Sequence, residues 1–174
     1  MDRTPGVQLP PRELGARLDR ILACAGKLVD SLPIRVLDHK SPQVDRSVRD
    51  LAFHLFRLAL AYVDGMDMGR LPESWHEERA PEDLVDGPAV GRYGALVRGR
   101  VSGWFEGAAP SEYARTIQAF DGPQNGHELL ERTTSGAAQH LRQLYALAGE
   151  LGATPPESLP TSDFDGLPMP PSLW

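Results

Sequence analysis

The sequence contains one cysteine, Cys24, only two lysines and no long apolar run. A single cysteine excludes an internal disulfide and a cysteine-rich zinc site, and it is typical of a reducing compartment. No apolar stretch approaches the roughly 18 residues that a membrane-spanning helix requires, and the first residues lack the apolar centre of a signal peptide. We therefore expect a cytoplasmic protein with no membrane partner.

Negative charge exceeds positive charge, with 24 acidic residues, 18 basic residues and a formal net charge of −6. The basic residues are spread along the chain and form no basic face, so we expect no nucleic-acid partner. A chain of 174 residues is long enough to fold around one core without a disulfide or a metal. Its 17 glycines and 16 prolines are clustered, which predicts helices joined by long loops.

Four stretches carry apolar residues at alternating steps of three and four, the spacing of one face of an α-helix. They begin near Arg12, Val44, Pro88 and Gly126, with long connections at residues 68–87 and 107–125. Four helices with two long crossover connections predict an all-α four-helix bundle. We expect a single domain over residues 1–174, with the bundle at 12–152 and an irregular, proline-rich tail at 153–174.

Two histidines stand at positions that should face the interior of this bundle. His140 lies on the apolar face of the fourth helix, and His54 lies at the edge of the apolar face of the second, one turn after Asp50. Two imidazoles directed into a bundle from separate helices are half of a divalent metal site. Asp50 would accept a hydrogen bond from the second ring nitrogen of His54 or bind the metal itself. The alternative is that both histidines are core or edge residues with satisfied hydrogen bonds.

The remaining histidines and the cysteine give weaker signals. We expect His39 and His76 to be solvated, since both fall in predicted loops. His127 falls in the first turn of the fourth helix, where a loop or capping role is expected. Cys24 is expected to be a small buried apolar residue.

Two helical segments resemble the DinB-like superfamily, which is named after a damage-inducible protein. They are RDLAFHLFRLALAYVDGM in the second helix and HELLERTTSGAAQHLRQLYALAGELG in the fourth, and the tail LPTSDFDGLPMPPSLW resembles the end of one subgroup. The resemblance covers most of residues 12–174 and implies a four-helix bundle. The family includes divalent-metal thiol transferases and isomerases that use thiols such as bacillithiol or mycothiol. It also includes hydrolases and resistance proteins that destroy reactive electrophiles.

The resemblance also implies a metal site, and this sequence departs from it. The family's site has one histidine on the second helix and an HxxxH pair on the fourth. His54 and His140 match two of these ligands, whereas the first histidine of the pair is replaced by Gly136. We expect the space beside Gly136 to hold part of an organic ligand. Candidates for the missing metal ligand are Asp50, Thr133 and His127.

Three functions remain open on this basis. The first is an enzyme acting on a small electrophilic or thiol-bearing substrate, with His54, His140 and Asp50 as catalytic residues. Its expected cofactors are zinc or nickel and a low-molecular-weight thiol. If no metal is bound, the same residues would act by acid–base chemistry. The second is a non-catalytic bundle that binds or sequesters a small molecule. The third is a homodimer formed through Trp75 and Trp174, unless these rings cover the protein's own core.

Overall fold

A computed structural model describes residues 8–174; residues 1–7 of the predicted domain lie outside it. Its helices are α1 (Pro11–Ser31), a short α2 (Ile34–Leu37), α3 (Val48–Met68), α4 (Gly87–Gly107) and α5 (Gly126–Glu150). The four long helices correspond to the four predicted ones, which confirms the all-α four-helix bundle. Among residues 8–174, no helix combines the length and the apolar character needed to cross a membrane.

The helices that carry the two candidate histidines begin at defined caps. The Ser47 hydroxyl accepts a hydrogen bond from the backbone N–H of Asp50 at 3.0 Å, which starts α3. At the start of α5, the Asn125 side chain accepts from the Glu128 N–H, and the Glu128 carboxylate accepts from the Asn125 N–H. This reciprocal pair is a capping box. The caps define where α3 and α5 begin, and the packing of their apolar faces against the other helices turns His54 and His140 inward.

The core lies between the four long helices, as the apolar spacing predicts. α1 packs against α4 and α5, and α3 packs against the same two helices. Leu18, Leu55 and Leu144 are fully buried on their predicted inner faces. Each buried leucine side chain stabilises the fold by roughly 1.5–3 kcal/mol, so the packed faces dominate the energetics.

Two short sheets form between the helices, and one of them corrects a predicted boundary: the second helix was expected to begin near Val44, but residues 46–47 form a strand and α3 begins at Val48. Lys40–Ser41 (β1) pairs with Arg46–Ser47 (β2) in antiparallel orientation. Arg70–Leu71 (β3) pairs in parallel with Thr116–Ala119 (β4), which pairs antiparallel with Gly122–Asn125 (β5). The second sheet joins the two long connections to each other and positions them over one end of α3 and α5.

The proline-rich tail folds back onto the bundle. Its one helical turn is a 3₁₀ helix, Thr161–Phe164. The carboxylate of Asp163 accepts a hydrogen bond from Arg20 at 2.7 Å, and Leu167 is buried. Trp75 packs against the core, with the guanidinium of Arg57 5.1 Å from its ring centroid, so it covers its own chain. Trp174 is 41% exposed.

Candidate functional site

A cavity of about 200 Å³ lies between α3, α5 and the β3–β4–β5 sheet. Its walls combine apolar side chains with imidazole rings. The lining residues are His54, Leu58, Leu71, His76, Ala119, Phe120, Leu129, Arg132, Thr133, Gly136 and His140. Titratable groups therefore converge here on a partly open, mostly apolar cavity, and such a combination is typical of a small-molecule site.

The structure brings the two predicted histidines together. His54 on α3 is 8% exposed, and its ring centroid lies 4.9 Å from that of His140 on α5. The ring planes are inclined by 74°, so the rings meet edge to face. Both residues line the same cavity, as their positions on the apolar faces predict.

Burial keeps both imidazoles neutral. Burial, with smaller contributions from His140 and the positive charge of Arg46, lowers the pKa of His54 to about 3. Burial also lowers the pKa of His140, against the opposing effect of a hydrogen bond to Gln143. A neutral imidazole has a lone pair on one nitrogen, so the pair can accept hydrogen bonds or bind a cation.

The predicted hydrogen bond between Asp50 and His54 is not formed. Asp50 accepts a hydrogen bond from the backbone N–H of Ala80 at 2.9 Å, and its other oxygen lies 3.8 Å from a nitrogen of Arg79. The Nδ1 atom of His54 is buried without a hydrogen-bond partner. Asp50 lies in the first turn of α3. Its carboxylate binds the 79–80 loop and does not contact the ring of His54 one turn later.

A third imidazole at the cavity was missed by the sequence analysis. The 3₁₀ helix Glu73–His76 directs His76 into the cavity, which corrects its expected solvated role. Its ring centroid lies 6.4 Å from that of His54, and its Nε2 is buried without a partner. Burial, and then the positive charges of Arg132 and Arg57, lower its pKa. The only signal for it was the unusual length of the connection in which it lies.

The three candidates for the missing ligand have different locations. Thr133 lines the cavity, whereas Asp50 does not. His127 does not line it either, because its Nε2 lies 2.7 Å from the carbonyl oxygen of Leu9. His127 instead borders a larger, mostly apolar groove of about 1060 Å³ between the start of α1 and the end of α4. That groove contains neither His54 nor His140.

Comparisons with known proteins identify the fold. No protein-family model matches the chain, and no curated protein matches it. Among solved structures, the crystal structure of a DinB-like protein from Bacillus subtilis, YjoA, has a TM-score of 0.64 at 15% sequence identity. The match covers 81% of this chain and 92% of that one. The chain has a DinB-like fold. At this level of identity the likeness shows the fold alone.

Within the DinB-like fold, Gly136 leaves room for a small side chain in the cavity wall. A Cβ atom at this position would lie 3.4 Å from Cδ1 of Leu58, an ordinary van der Waals contact. Leu58 therefore borders the space beside Gly136 in which we expected part of an organic ligand. The three imidazoles and Thr133 line the same cavity.

The DinB-like resemblance implies a metal site, and the cavity contains suitable metal-binding side chains but fewer of them than the family's site. Neutral imidazoles suit zinc or nickel, and His54 and His140 are adjacent. Within residues 8–174, however, no group of three His, Cys, Asp or Glu side chains is close enough to hold a metal ion. The described side chains thus do not fit the family's three-histidine site. They provide a two-histidine pair with His76 nearby.

Proposed function

We propose that this protein is a small-molecule enzyme of the DinB-like type that acts at the His54–His140 cavity. Its substrate is a reactive electrophile or a thiol-bearing molecule. The main support is that two imidazoles from separate helices, 4.9 Å apart, line one cavity. A volume of about 200 Å³ corresponds to roughly six or seven molecules of water at ~30 Å³ each, so the substrate is small or inserts only its reactive end.

The residues at and near the cavity have different roles in the proposed reaction. His54 and His140 are the catalytic residues. His140 would accept the proton of a thiol or hydroxyl nucleophile, whereas His54, whose pKa is lowered to about 3, is a weak base and would orient that nucleophile through a hydrogen bond. The unpartnered ring nitrogens of His54 and His76 are available for hydrogen bonds to a ligand. Asp50 acts indirectly, because its carboxylate holds the 79–80 loop and does not touch the cavity.

The experiment that tests this proposal is a conjugation assay. Mycothiol or bacillithiol is mixed with monochlorobimane, and the formation of the fluorescent thioether is followed with and without protein. We expect the protein to accelerate the reaction, and His54→Ala and His140→Ala to reduce that acceleration at least tenfold. His127→Ala is the matched control and should retain it, because His127 lies outside the cavity. No acceleration with either thiol, or unchanged rates in both cavity variants, would contradict the proposal.

A divalent cofactor, zinc or nickel, is the second part of the proposal, and His54 and His140 are the residues that would hold it. Elemental analysis of the purified protein tests this part. Stoichiometric metal that is lost in His54→Ala and His140→Ala supports it. Protein without metal that still conjugates thiols shows that the two imidazoles act without a cation.

A non-catalytic binding or sequestering protein is the second candidate function. It is favoured by Gly136, which supplies no ligand, and by the absence of a three-ligand group within residues 8–174. Saturable binding of the bimane probe, seen as a fluorescence change without thioether formation, would support this function over the enzyme. His140→Ala should then weaken the binding.

A homodimer and a cytoplasmic location complete the proposal. The homodimer rests on Trp174, which is 41% exposed, since Trp75 already packs on its own core. Light scattering at high protein concentration tests the dimer, and a monomeric mass would count against it. The single, buried Cys24 is the feature that favours a reducing compartment.

A further inference from the structure

Gln143 connects the C-terminal tail to the candidate site. Its side chain is buried, at 7% exposed, and lies one turn after His140 on α5. Its Nε2 donates a hydrogen bond to the carbonyl oxygen of Leu173 at 2.9 Å. Its Oε1 lies 2.8 Å from Nδ1 of His140. A buried amide thus links a main-chain group of the tail to a ring that lines the cavity.

The chemistry of these groups fixes the direction of both hydrogen bonds. The carbonyl of Leu173 can only accept, so the NH₂ group of Gln143 must face the tail. The amide oxygen is then the atom that faces His140, and it too can only accept. Nδ1 of His140 must therefore carry a hydrogen. If the amide were turned round, two oxygens would face each other at the tail.

The tail carbonyl is held in place independently of Gln143. Gln139, one turn earlier on α5, donates from its Nε2 to the same Leu173 oxygen at 2.7 Å. The Gln139 oxygen in turn accepts from Arg142 at 3.0 Å, which sets the orientation of this second amide. Leu173 is thus an acceptor whose position is defined by two donors from α5.

We propose that the C-terminal tail sets the tautomer of His140 through Gln143, so that Nδ1 carries the hydrogen and Nε2 keeps the lone pair for the cavity. The tautomer of an imidazole is set by the hydrogen bond that its other nitrogen makes. Gln143 is accordingly a positioning residue, and the Leu173 carbonyl is the group that orients it. The tautomer follows from the contacts alone, whereas its value for catalysis rests on the proposed function.

Nuclear magnetic resonance of the metal-free protein measures the tautomer directly. The protein is labelled with nitrogen-15 histidine and treated with a chelator, and His140→Asn assigns the His140 signals by their loss. At neutral pH we expect the Nδ1 shift of His140 to be that of a protonated ring nitrogen and the Nε2 shift that of an unprotonated one. The reversed pattern in the unmodified sequence would overturn the proposal.

Variants separate the tail carbonyl from general effects on folding. Truncation after Ser172 and Gln143→Leu should move the two nitrogen shifts of His140 towards each other, as expected for a mixture of tautomers. Gln143→Glu keeps an acceptor at the ring but removes the NH₂ group that donates to the Leu173 carbonyl, so Nδ1 should stay the protonated nitrogen although the contact with the tail is lost. Trp174→Ala is the matched control for the truncation, because it keeps the Leu173 carbonyl and should change nothing.

The outcomes distinguish this inference from the proposed function. A retained Nδ1–H pattern in both the truncated chain and Gln143→Leu would overturn the role of the tail. The predicted pattern in a protein that conjugates no thiol would leave the tautomer assignment intact and contradict only the enzyme proposal. Circular dichroism checks that each variant keeps its helices, and the truncation after Ser172 tests the role of the tail if Gln143→Leu fails to fold.

Discussion

The ring of Phe56 on α3 occupies the space that a side chain at Gly94 on α4 would need. A Cβ atom at Gly94 would lie 2.5 Å from Cζ of that ring. Phe56 is fully buried, so its ring is surrounded by other side chains and cannot move into solvent. The contact between these two helices therefore favours a glycine at position 94.

This contact predicts opposite effects for two glycine-to-alanine substitutions. Gly94→Ala should lower the free energy of unfolding by about 1–3 kcal/mol, because it overpacks the α3–α4 contact. Gly136→Ala is the matched comparison and should raise it by about 0.5–1 kcal/mol, since a Cβ there makes only an ordinary contact with Leu58. Urea denaturation measures both. Destabilisation by Gly136→Ala would show that the cavity wall at α5 is tighter than the structure indicates.

The buried histidines predict a loss of stability in acid. The pKa of His54 is lowered to about 3 in the folded protein, whereas that of an unfolded histidine is about 6.5. The unfolded chain binds the proton first, so the free energy of unfolding should fall as the pH drops from about 6.5 towards 3. The lowered pKa values of His76 and His140 act in the same direction.

Substitution of His54 isolates its share of this acid sensitivity. His54→Gln should flatten the dependence of unfolding free energy on pH by more than about 1 kcal/mol between pH 6.5 and 4. Urea denaturation at several pH values provides the measurement. His39→Gln, which removes a histidine outside the cavity, should keep the original slope. Equal slopes for the two variants would show that His54 does not cause the acid sensitivity.

Restoring a histidine at position 136 should convert the cavity into a stronger metal site. Gly136→His places a third imidazole one turn before His140, and the side chain of Leu58 must move to make room for it. We expect zinc affinity to rise roughly tenfold or more, because three imidazoles replace two. Competition with a chromophoric chelator measures it. Gly136→Leu adds similar bulk without a donor, and equal affinities for the two variants would contradict the prediction.

Cys24 should be unreactive in the folded protein. It is 3% exposed, its sulfur lies 3.0 Å from the hydroxyl oxygen of Tyr145, and burial raises its pKa to about 11. The thiolate is the reactive form, so a disulfide reagent that absorbs on reaction should modify the protein slowly at neutral pH. The same reagent in urea should react with one thiol per chain. Rapid reaction without denaturant would contradict the burial of Cys24 in the folded protein.

The sequence predicts the bundle well because burial follows helical spacing. Leu18, Leu55 and Leu144 lie at steps of three and four residues from other apolar residues of their helices, and all three are fully buried. The same spacing identified His54 and His140, since a residue on an apolar face points inward whatever its chemistry. These inferences need only the geometry within one helix.

The parts that the sequence did not predict depend on contacts between distant segments. His76 reaches the cavity because β3 pairs with β4 across two long connections, and neither strand has a residue pattern that signals it. Asp50 faces the 79–80 loop instead of His54, which is decided by a loop contact outside its helix. The link from Leu173 through Gln143 to His140 joins the tail to α5 and has no local signature either.

The central claim is that His54 and His140 act as one site, and a double-mutant cycle tests it most directly. The rate of thiol conjugation to monochlorobimane is measured for the unmodified protein, His54→Asn, His140→Asn and the double variant. If the two rings work together in one cavity, the double variant should lose no more activity than the worse single variant. Losses that multiply, or a single variant with full activity, would show that the rings do not share a reaction.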